Sequence, residues 1–128
     1  YGGRRRVLYV EDNPVNAEVM RGVMAQRPQI DLIVCDDGSS GLEALQGDAL
    51  DLVLLDLLLP DMDGFEWLAR ARAAGASMPV VMVSASALGE HVERAHAAGV
   101  HAYLPKPIDV AALLAMLDAL LAGEQESP

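Results

Sequence analysis

Five short apolar segments recur along the chain, and each is followed by a longer stretch with helical periodicity. The predicted strands are Val7–Val10, Leu32–Cys35, Leu52–Leu55, Val80–Val83 and Ala102–Leu104. Because these segments are apolar at successive positions, we expect strands that are buried on both faces, as in a parallel sheet. The alternation predicts an α/β fold, a doubly wound five-stranded parallel sheet with five helices on both faces. In such folds the ligand site lies beyond the carboxyl ends of the strands.

The first predicted helix has a clear start. Asn13 is its predicted N-cap, and Pro14 occupies the first helical position. Val15, Val19 and Val23 follow at a spacing of four, and we expect this stripe to face the sheet.

The last predicted helix begins after Asp109 and ends at Gly123, with a leucine-rich stripe between them. Weaker helical patterns cover Ser39–Leu45, Phe65–Ala74 and Glu90–Ala98. Gly75 and Gly99 are predicted to stop the last two of these helices.

Composition narrows the class of protein. A chain of 128 residues is long enough for one domain with its own core. A single cysteine, Cys35, excludes a disulfide or zinc-cysteine scaffold. The formal net charge of −10 disfavours direct binding to nucleic acid. No apolar stretch approaches the length of a membrane span and no signal-peptide pattern is present, so we expect a cytoplasmic domain without membrane contact.

The two ends of the chain are predicted to lie outside the folded domain. Residues 1–5 are predicted to be an N-terminal linker or tag remnant, and residues 123–128 are predicted to be a C-terminal tail or linker. The domain itself is predicted over residues 6–122, and it could be cut from a longer protein.

Polar residues follow four of the five predicted strands. They are Glu11 and Asp12 after the first, Asp56 after the third, Ser84 after the fourth and Lys106 after the fifth. One such residue alone is more often a helix cap or a solvated charge, but together they are expected to converge at one edge of the sheet. Clustered carboxylates repel one another unless a cation neutralises them. An all-oxygen set favours Mg²⁺ before Ca²⁺.

Lys106 is the only lysine, and the other eight basic residues are arginine. Two interpretations are open: chance in an arginine-rich chain, or a site that needs a compact ammonium rather than a forked guanidinium.

Four motifs are similar to those of one family. They are the runs Val10–Asn16, Asp56–Gly64, Ser84–Ala85 and Tyr103–Ile108. Together they closely resemble the CheY-like receiver domain of two-component response regulators, over about Arg6–Leu121. The resemblance implies the strand order 2-1-3-4-5. Asn13–Asn16 resembles the receivers of hybrid sensor histidine kinases more than those joined to DNA-binding domains.

The resemblance also implies a role for each site residue. Asp56 would accept a phosphoryl group from the phosphohistidine of a histidine kinase or histidine phosphotransfer domain. Asp12, Asp56 and the backbone carbonyl of Leu58 would bind Mg²⁺ directly, with Glu11 acting through water. Lys106 would pair first with Asp56 and then with the phosphoryl group.

The implied output is a change of surface. Ser84 would move to hydrogen-bond the phosphoryl group, and Tyr103 would turn into the space that Ser84 leaves. The face formed by the fourth helix, fifth strand and fifth helix would then change shape and contact an effector or a second copy of the chain. The cis or trans state of the Lys106–Pro107 bond is not readable from the sequence.

Two other functions are weighed against the phosphoacceptor. A receiver-like interaction module without phosphorylation would usually lack the aspartate or the lysine, and both Asp56 and Lys106 are present. A Mg²⁺-dependent phosphatase of the haloacid-dehalogenase type needs a second aspartate two residues after its nucleophile. Leu58 occupies that position. Whether the chain is an enzyme stays open. The domain itself would catalyse only its own phosphorylation and dephosphorylation, whereas a longer parent chain could also be a hybrid histidine kinase.

Overall fold

The predicted α/β sheet is present in the computed structural model, which describes residues 4–47, 49–86 and 88–123. The strands are β1 (Arg5–Val10), β2 (Ile30–Cys35), β3 (Leu52–Asp56), β4 (Val80–Ser84) and β5 (Ala102–Pro105). The helices are α1 (Pro14–Met24), α2 (Gly38–Gly47), α3 (Gly64–Ala73), α4 (Gly89–Ala97) and α5 (Val110–Gly123). All strand pairs are parallel, and the order is β2-β1-β3-β4-β5. This is the order that the family resemblance implied.

Both faces of the sheet are covered, and successive residues of each strand enter different cores. Val7 and Tyr9 of β1 pack with side chains of α1 and α5, whereas Leu8 and Val10 pack on the opposite face with α2, α3 and α4. β3 and β4 are buried at every position. This double burial explains why the strands are continuously apolar in the sequence.

The valine stripe predicted for α1 is wrong in part. Asn13 does cap the helix, because its Oδ1 accepts from the backbone N–H groups of Val15 at 2.8 Å and Asn16 at 3.2 Å. However, Val15 is 67% exposed and Val19 is 58% exposed. The face of α1 turned to the sheet consists of Ala17, Met20, Val23 and Met24. A strict spacing of four advances about 40° around the helix at each step, so such a stripe drifts off the packed face.

The predicted ends of α3 and α4 and the predicted start of α5 agree with the structure. Gly75 follows α3 with φ of 94°, and Gly99 follows α4 with φ of 91°, the left-handed conformation in which glycine ends helices at little cost. Asp109 accepts from the backbone N–H of Ala112 at 3.1 Å in the first turn of α5. Among the described residues, no helix is long and apolar enough to cross a membrane.

The domain limits at residues 6 and 122 stay predictions. Arg5 already lies in β1 and Gly123 is the last residue of α5, so regular structure extends slightly past both limits. Residues 1–3 and 124–128 of the predicted terminal segments lie outside the described residues.

Candidate functional site

The carboxyl ends of β1, β3, β4 and β5 meet around one cleft of about 320 Å³. It is lined by Glu11, Asp12, Asn13, Asn16, Asp56, Leu58, Ser84, Ala85, Ser86 and Lys106. The structure therefore brings together the predicted acidic residues, the serine, the lysine and Leu58. The remaining predicted site residue, Tyr103, does not line the cleft.

Three carboxylates form the floor of this cleft. Glu11, Asp12 and Asp56 each offer an oxygen, and these oxygens lie within 4.8 Å of one another. Glu11 and Asp56 are buried, with 2% and 7% exposure, whereas Asp12 is exposed. An all-oxygen group of this kind, open to solvent at one carboxylate, fits a hard divalent cation that keeps some of its water. No histidine or cysteine enters the group.

The two buried carboxylates differ in acidity. Burial, followed by the neighbouring Glu11 carboxylate, raises the pKa of Asp56 to about 6, although Lys106 opposes this rise. Burial also acts to raise the pKa of Glu11, but hydrogen bonds led by that from Lys106 outweigh it and lower this pKa to about 2. Asp56 is consequently the carboxylate that most needs nearby positive charge to remain ionised.

Lys106 supplies part of that charge. Its Nζ lies 2.5 Å from Glu11 Oε1 and 3.2 Å from Asp56 Oδ2, and its side chain is only 18% exposed. Burial acts to lower the pKa of the Lys106 ammonium, but the two carboxylates together outweigh it and raise this pKa. The backbone N–H of Lys106 donates to Ser84 O at 2.9 Å, and the peptide bond to Pro107 is cis. One compact ammonium thus serves two acceptors, which favours the functional interpretation of the lone lysine.

Glu11 is held by more partners than the sequence indicated. Tyr9 donates its hydroxyl to Glu11 Oε1 at 3.1 Å, and Asn16 donates its amide to the same oxygen at 3.0 Å. The backbone N–H of Asn13 reaches Glu11 Oε2 at 3.3 Å. Sequence reasoning missed Tyr9 and Asn16 as site residues. The available signal for Tyr9 was a phenol within an apolar strand, since a buried hydroxyl needs a partner.

The loop after β3 approaches Asp56 closely. The backbone N–H of Leu58 donates to Asp56 Oδ1 at 3.3 Å, while the Leu58 side chain is 71% exposed. A Cβ at Gly64 would lie 2.9 Å from the backbone oxygen of Asp56 and 3.1 Å from Leu57 Cα. A glycine is therefore required where α3 begins, because its backbone packs against the backbone of Asp56 and Leu57.

Ser84 and Tyr103 are connected through a third residue. Ser84 is buried, and its Oγ accepts from the backbone N–H of Ser86 at 3.0 Å. Tyr103 donates its hydroxyl to the backbone oxygen of Ser86 at 2.9 Å. Ser86 was not identified from the sequence, because neither of these contacts depends on its side chain.

Comparison with known families and proteins agrees with this geometry. The family model of the response regulator receiver domain matches residues 7–118. The transcriptional activator protein PfeR of Pseudomonas aeruginosa is 43% identical over 118 residues, which are 91% of this chain and 37% of PfeR. The sensor histidine kinase RcsC of Salmonella typhi is 34% identical over 107 residues, which are 84% of this chain and 11% of RcsC. The chain thus spans well under half of these relatives.

Solved structures share the whole fold. A CheY-like receiver domain protein from Methanospirillum hungatei has a TM-score of 0.86 at 26% identity, covering 98% of this chain and 100% of that one. The receiver domain of the sensor histidine kinase PA1611 from Pseudomonas aeruginosa has a TM-score of 0.83 at 29% identity, covering 94% and 99%. The PA1611 domain is described with a magnesium ion coordinated in its active site cleft.

Proposed function

The chain belongs to the response regulator receiver domain family of two-component systems, and from this membership we propose that Asp56 accepts a phosphoryl group from a phosphohistidine in a Mg²⁺-dependent reaction. The observation that carries the proposal is the Asp56 carboxylate itself. It lies in a cleft at the end of a buried strand, with one oxygen beside Lys106 and the other beside the backbone N–H of Leu58.

The chemistry requires little covalent help from the protein. An oxygen of ionised Asp56 attacks the phosphorus, the P–N bond to the donor imidazole breaks, and the imidazole leaves with the electron pair. Lys106 stabilises the ionised carboxylate before transfer and a phosphoryl oxygen after it. Such reactions depend mainly on positioning and charge stabilisation.

Mg²⁺ is proposed to bind at the acidic end of the cleft. Asp12, Asp56 and the Leu58 carbonyl would hold it directly, and Glu11 through water. Bound there, the ion supplies positive charge to the carboxylates and to the incoming phosphoryl oxygens. Glu11 is already engaged by Lys106, Tyr9 and Asn16, which supports an indirect role for this carboxylate.

Ser84 and Tyr103 are proposed to carry the output. Ser84 lines the cleft with Asp56, so its hydroxyl is available to a phosphoryl group there. Tyr103 lies on β5, between α4 and α5 in the chain, so its reorientation would alter the face that these elements form. We propose that an effector or a second copy of the chain binds this α4–β5–α5 face.

The phosphodonor is proposed to be a histidine kinase or a histidine phosphotransfer domain that contacts α1. Val15 and Val19 are exposed apolar side chains on this helix. A groove of about 190 Å³ has Val19, Lys106, Pro107 and Ile108 among its lining residues. A donor must reach Asp56 from outside, and this apolar surface adjoins the cleft through Lys106.

The central test is labelling by a small phosphodonor. Incubation with acetyl phosphate and Mg²⁺ should add one acid-labile phosphate, detected by intact-protein mass spectrometry, and Asp56→Asn should abolish it. Asp109→Asn is the matched control, because asparagine caps a helix as well as aspartate does. If Asp56→Asn labels like the wild type, the acceptor assignment is wrong. If neither protein labels, the non-phosphorylated interaction module becomes the better function.

The donor surface has a separate test. Val19→Ser should slow transfer from a phosphorylated histidine phosphotransfer domain by about tenfold, a change of ~1.4 kcal/mol in the barrier. Labelling of the same variant by acetyl phosphate should match the wild type, since Val19 lies outside the acidic cleft. Equal loss with both donors would contradict a docking role.

A further inference from the structure

Tyr9 is a fully buried phenol within β1. Its ring belongs to the core that lies between the sheet and the helices α1 and α5. The ladder of β1 continues to Glu11, whose backbone N–H donates to Cys35 O at 2.9 Å. Residues two apart along a strand point to the same face, and the Tyr9 hydroxyl donates to Glu11 Oε1 at 3.1 Å. This hydrogen bond joins the core of the domain to the floor of the acidic cleft.

The two carboxylate oxygens of Glu11 are engaged to different extents. Oε1 accepts from the Tyr9 hydroxyl, the Asn16 amide and the Lys106 ammonium. Within the part of the chain that the structure describes, Oε2 accepts only from the backbone N–H of Asn13, at the long distance of 3.3 Å. Each carboxylate oxygen has about two lone-pair sites. Oε1 is therefore saturated with donors, whereas Oε2 has capacity for a further one.

Among the three donors to Oε1, Tyr9 differs from the other two in its place. Asn16 and Lys106 line the cleft, so each is able to meet a ligand there directly. Tyr9 does not line the cleft and has no exposed surface, so it reaches a cation there only through Glu11. Its ring is fixed by core packing, which makes the hydroxyl a fixed point for the carboxylate. Groups that orient the residues around a metal ion commonly change its affinity without touching it.

We propose that Tyr9 is a positioning residue for the cation site, because its buried hydroxyl holds Oε1 of Glu11 against the core and leaves Oε2 to accept from water bound to Mg²⁺. Tyr9 touches neither the ion nor a phosphoryl group in this role. The inference rests on the proposed Mg²⁺ site, and it adds a residue from the core to the groups that determine Mg²⁺ affinity.

The first test is calorimetric titration of Mg²⁺ into the unphosphorylated protein. Tyr9→Phe removes the hydroxyl and keeps the ring, and it should weaken Mg²⁺ binding by about tenfold, the lower end of the effects of outer groups at metal sites. Met20→Leu is the control, since Met20 belongs to the same core and the exchange conserves volume. It should bind Mg²⁺ like the wild type. The inference is overturned if Tyr9→Phe also binds Mg²⁺ like the wild type.

A second test asks whether the effect passes through Glu11. Glu11→Ala leaves no carboxylate for the phenol to hold, so adding Tyr9→Phe to this variant should cause no further loss of Mg²⁺ affinity. If Tyr9 contributed only to the general stability of the core, the same loss would appear in both backgrounds. A further tenfold loss in the Glu11→Ala background therefore contradicts the inference.

The dependence of labelling on Mg²⁺ gives a third test. For Tyr9→Phe with acetyl phosphate, the Mg²⁺ concentration that gives half the maximal rate should rise about tenfold. The rate at saturating Mg²⁺ should stay at the wild-type value, because Tyr9 lies outside the cleft of Asp56. A lower saturating rate at an unchanged half-maximal Mg²⁺ concentration would assign Tyr9 to the reaction itself and overturn the inference.

Failure of the proposed function gives a different pattern. If Asp56→Asn labels like the wild type, or nothing labels, the acceptor role fails, and calorimetry still decides the role of Tyr9: weaker binding in Tyr9→Phe supports it, and equal binding overturns it. If the wild type binds no Mg²⁺, the proposed cation site and the role of Tyr9 fail together. Labelling of Asp56 that persists in EDTA would then retain the acceptor without the metal.

Discussion

At the scale of single residues, Lys106 joins the two buried carboxylates of the cleft. The same ammonium contacts Glu11 Oε1 and Asp56 Oδ2, and its backbone also contacts Ser84. A guanidinium carries the same charge but spreads it over a planar fork that is larger than an ammonium. In a cleft where the lysine side chain is only 18% exposed, that fork has little freedom to meet both acceptors.

Lys106→Arg should therefore separate charge from shape. We expect labelling of Asp56 by acetyl phosphate to fall by about tenfold or more, equivalent to ~1.4 kcal/mol of barrier per tenfold. Mg²⁺ binding, measured by calorimetry, should be retained because the acidic residues are intact. Arg70→Lys, the reverse exchange at an exposed pair with Glu66, is the control and should label normally. If Lys106→Arg labels normally, the presence of a single lysine is explained by chance in an arginine-rich chain.

The acidic and basic site residues were predictable because each lies at the end of a strand or directly after it. The sheet topology alone brings Glu11, Asp56 and Lys106 to one edge, whatever their separation in sequence. The supporting contacts were not predictable in the same way. Tyr9 points to the site from inside its strand, and Ser86 acts mostly through its backbone, so residue type carried little signal.

At the scale of elements, the strands were predicted more accurately than the faces of the helices. β3 and β4 are apolar up to their last residue, and their burial at every position leaves no face to choose. For α1 the prediction had to choose which face packs on the sheet. The valines predicted a face that includes Val15 and Val19, but these two residues are exposed, and Ala17 and Met20 are buried instead. Small and flexible apolar residues pack as well as valine does, so periodicity in valine alone was misleading.

Substitution of alanine for glycine should change the stability of the domain in opposite directions at Gly64 and at Gly22. Gly64→Ala places a Cβ against the backbone of Asp56 and Leu57, and should destabilise the domain by ~1–3 kcal/mol. Gly22 lies within α1, and apart from its chain neighbours and the adjacent helix backbone no atom lies within 4 Å of the position that a Cβ would take there. Gly22→Ala should therefore stabilise the domain by ~0.5–1 kcal/mol. Urea unfolding of the unphosphorylated protein measures both.

The two alanine variants should also differ in their effect on the site around Asp56. Gly64→Ala should slow labelling, because Asp56 must shift to relieve the contact with its backbone oxygen. Gly22→Ala should label like the wild type. Unchanged stability and labelling in Gly64→Ala would contradict the close packing of α3 against Asp56.

At the scale of the whole molecule, the net charge of −10 and the acidic cleft act together. Mutual repulsion among acidic groups opposes the compact state. Within the cleft the same effect is concentrated, since the neighbouring Glu11 is one of the causes that raise the pKa of Asp56. A divalent cation that binds the folded cleft and not the unfolded chain should therefore stabilise the whole domain.

Mg²⁺ should raise the free energy of unfolding by ~2.7 kcal/mol when its concentration reaches about 100 times its dissociation constant. Thermal or urea unfolding with increasing Mg²⁺ measures this, and NaCl at matched ionic strength controls for general screening of the net charge. Asp12→Asn should lose most of the Mg²⁺ effect, because Asp12 is the solvent-facing carboxylate of the group. Glu93→Gln removes an exposed charge from α4 and should keep the effect. If NaCl stabilises the domain as much as Mg²⁺ does, or if both variants respond equally, the stabilisation comes from screening and the acidic cleft is not a specific magnesium site.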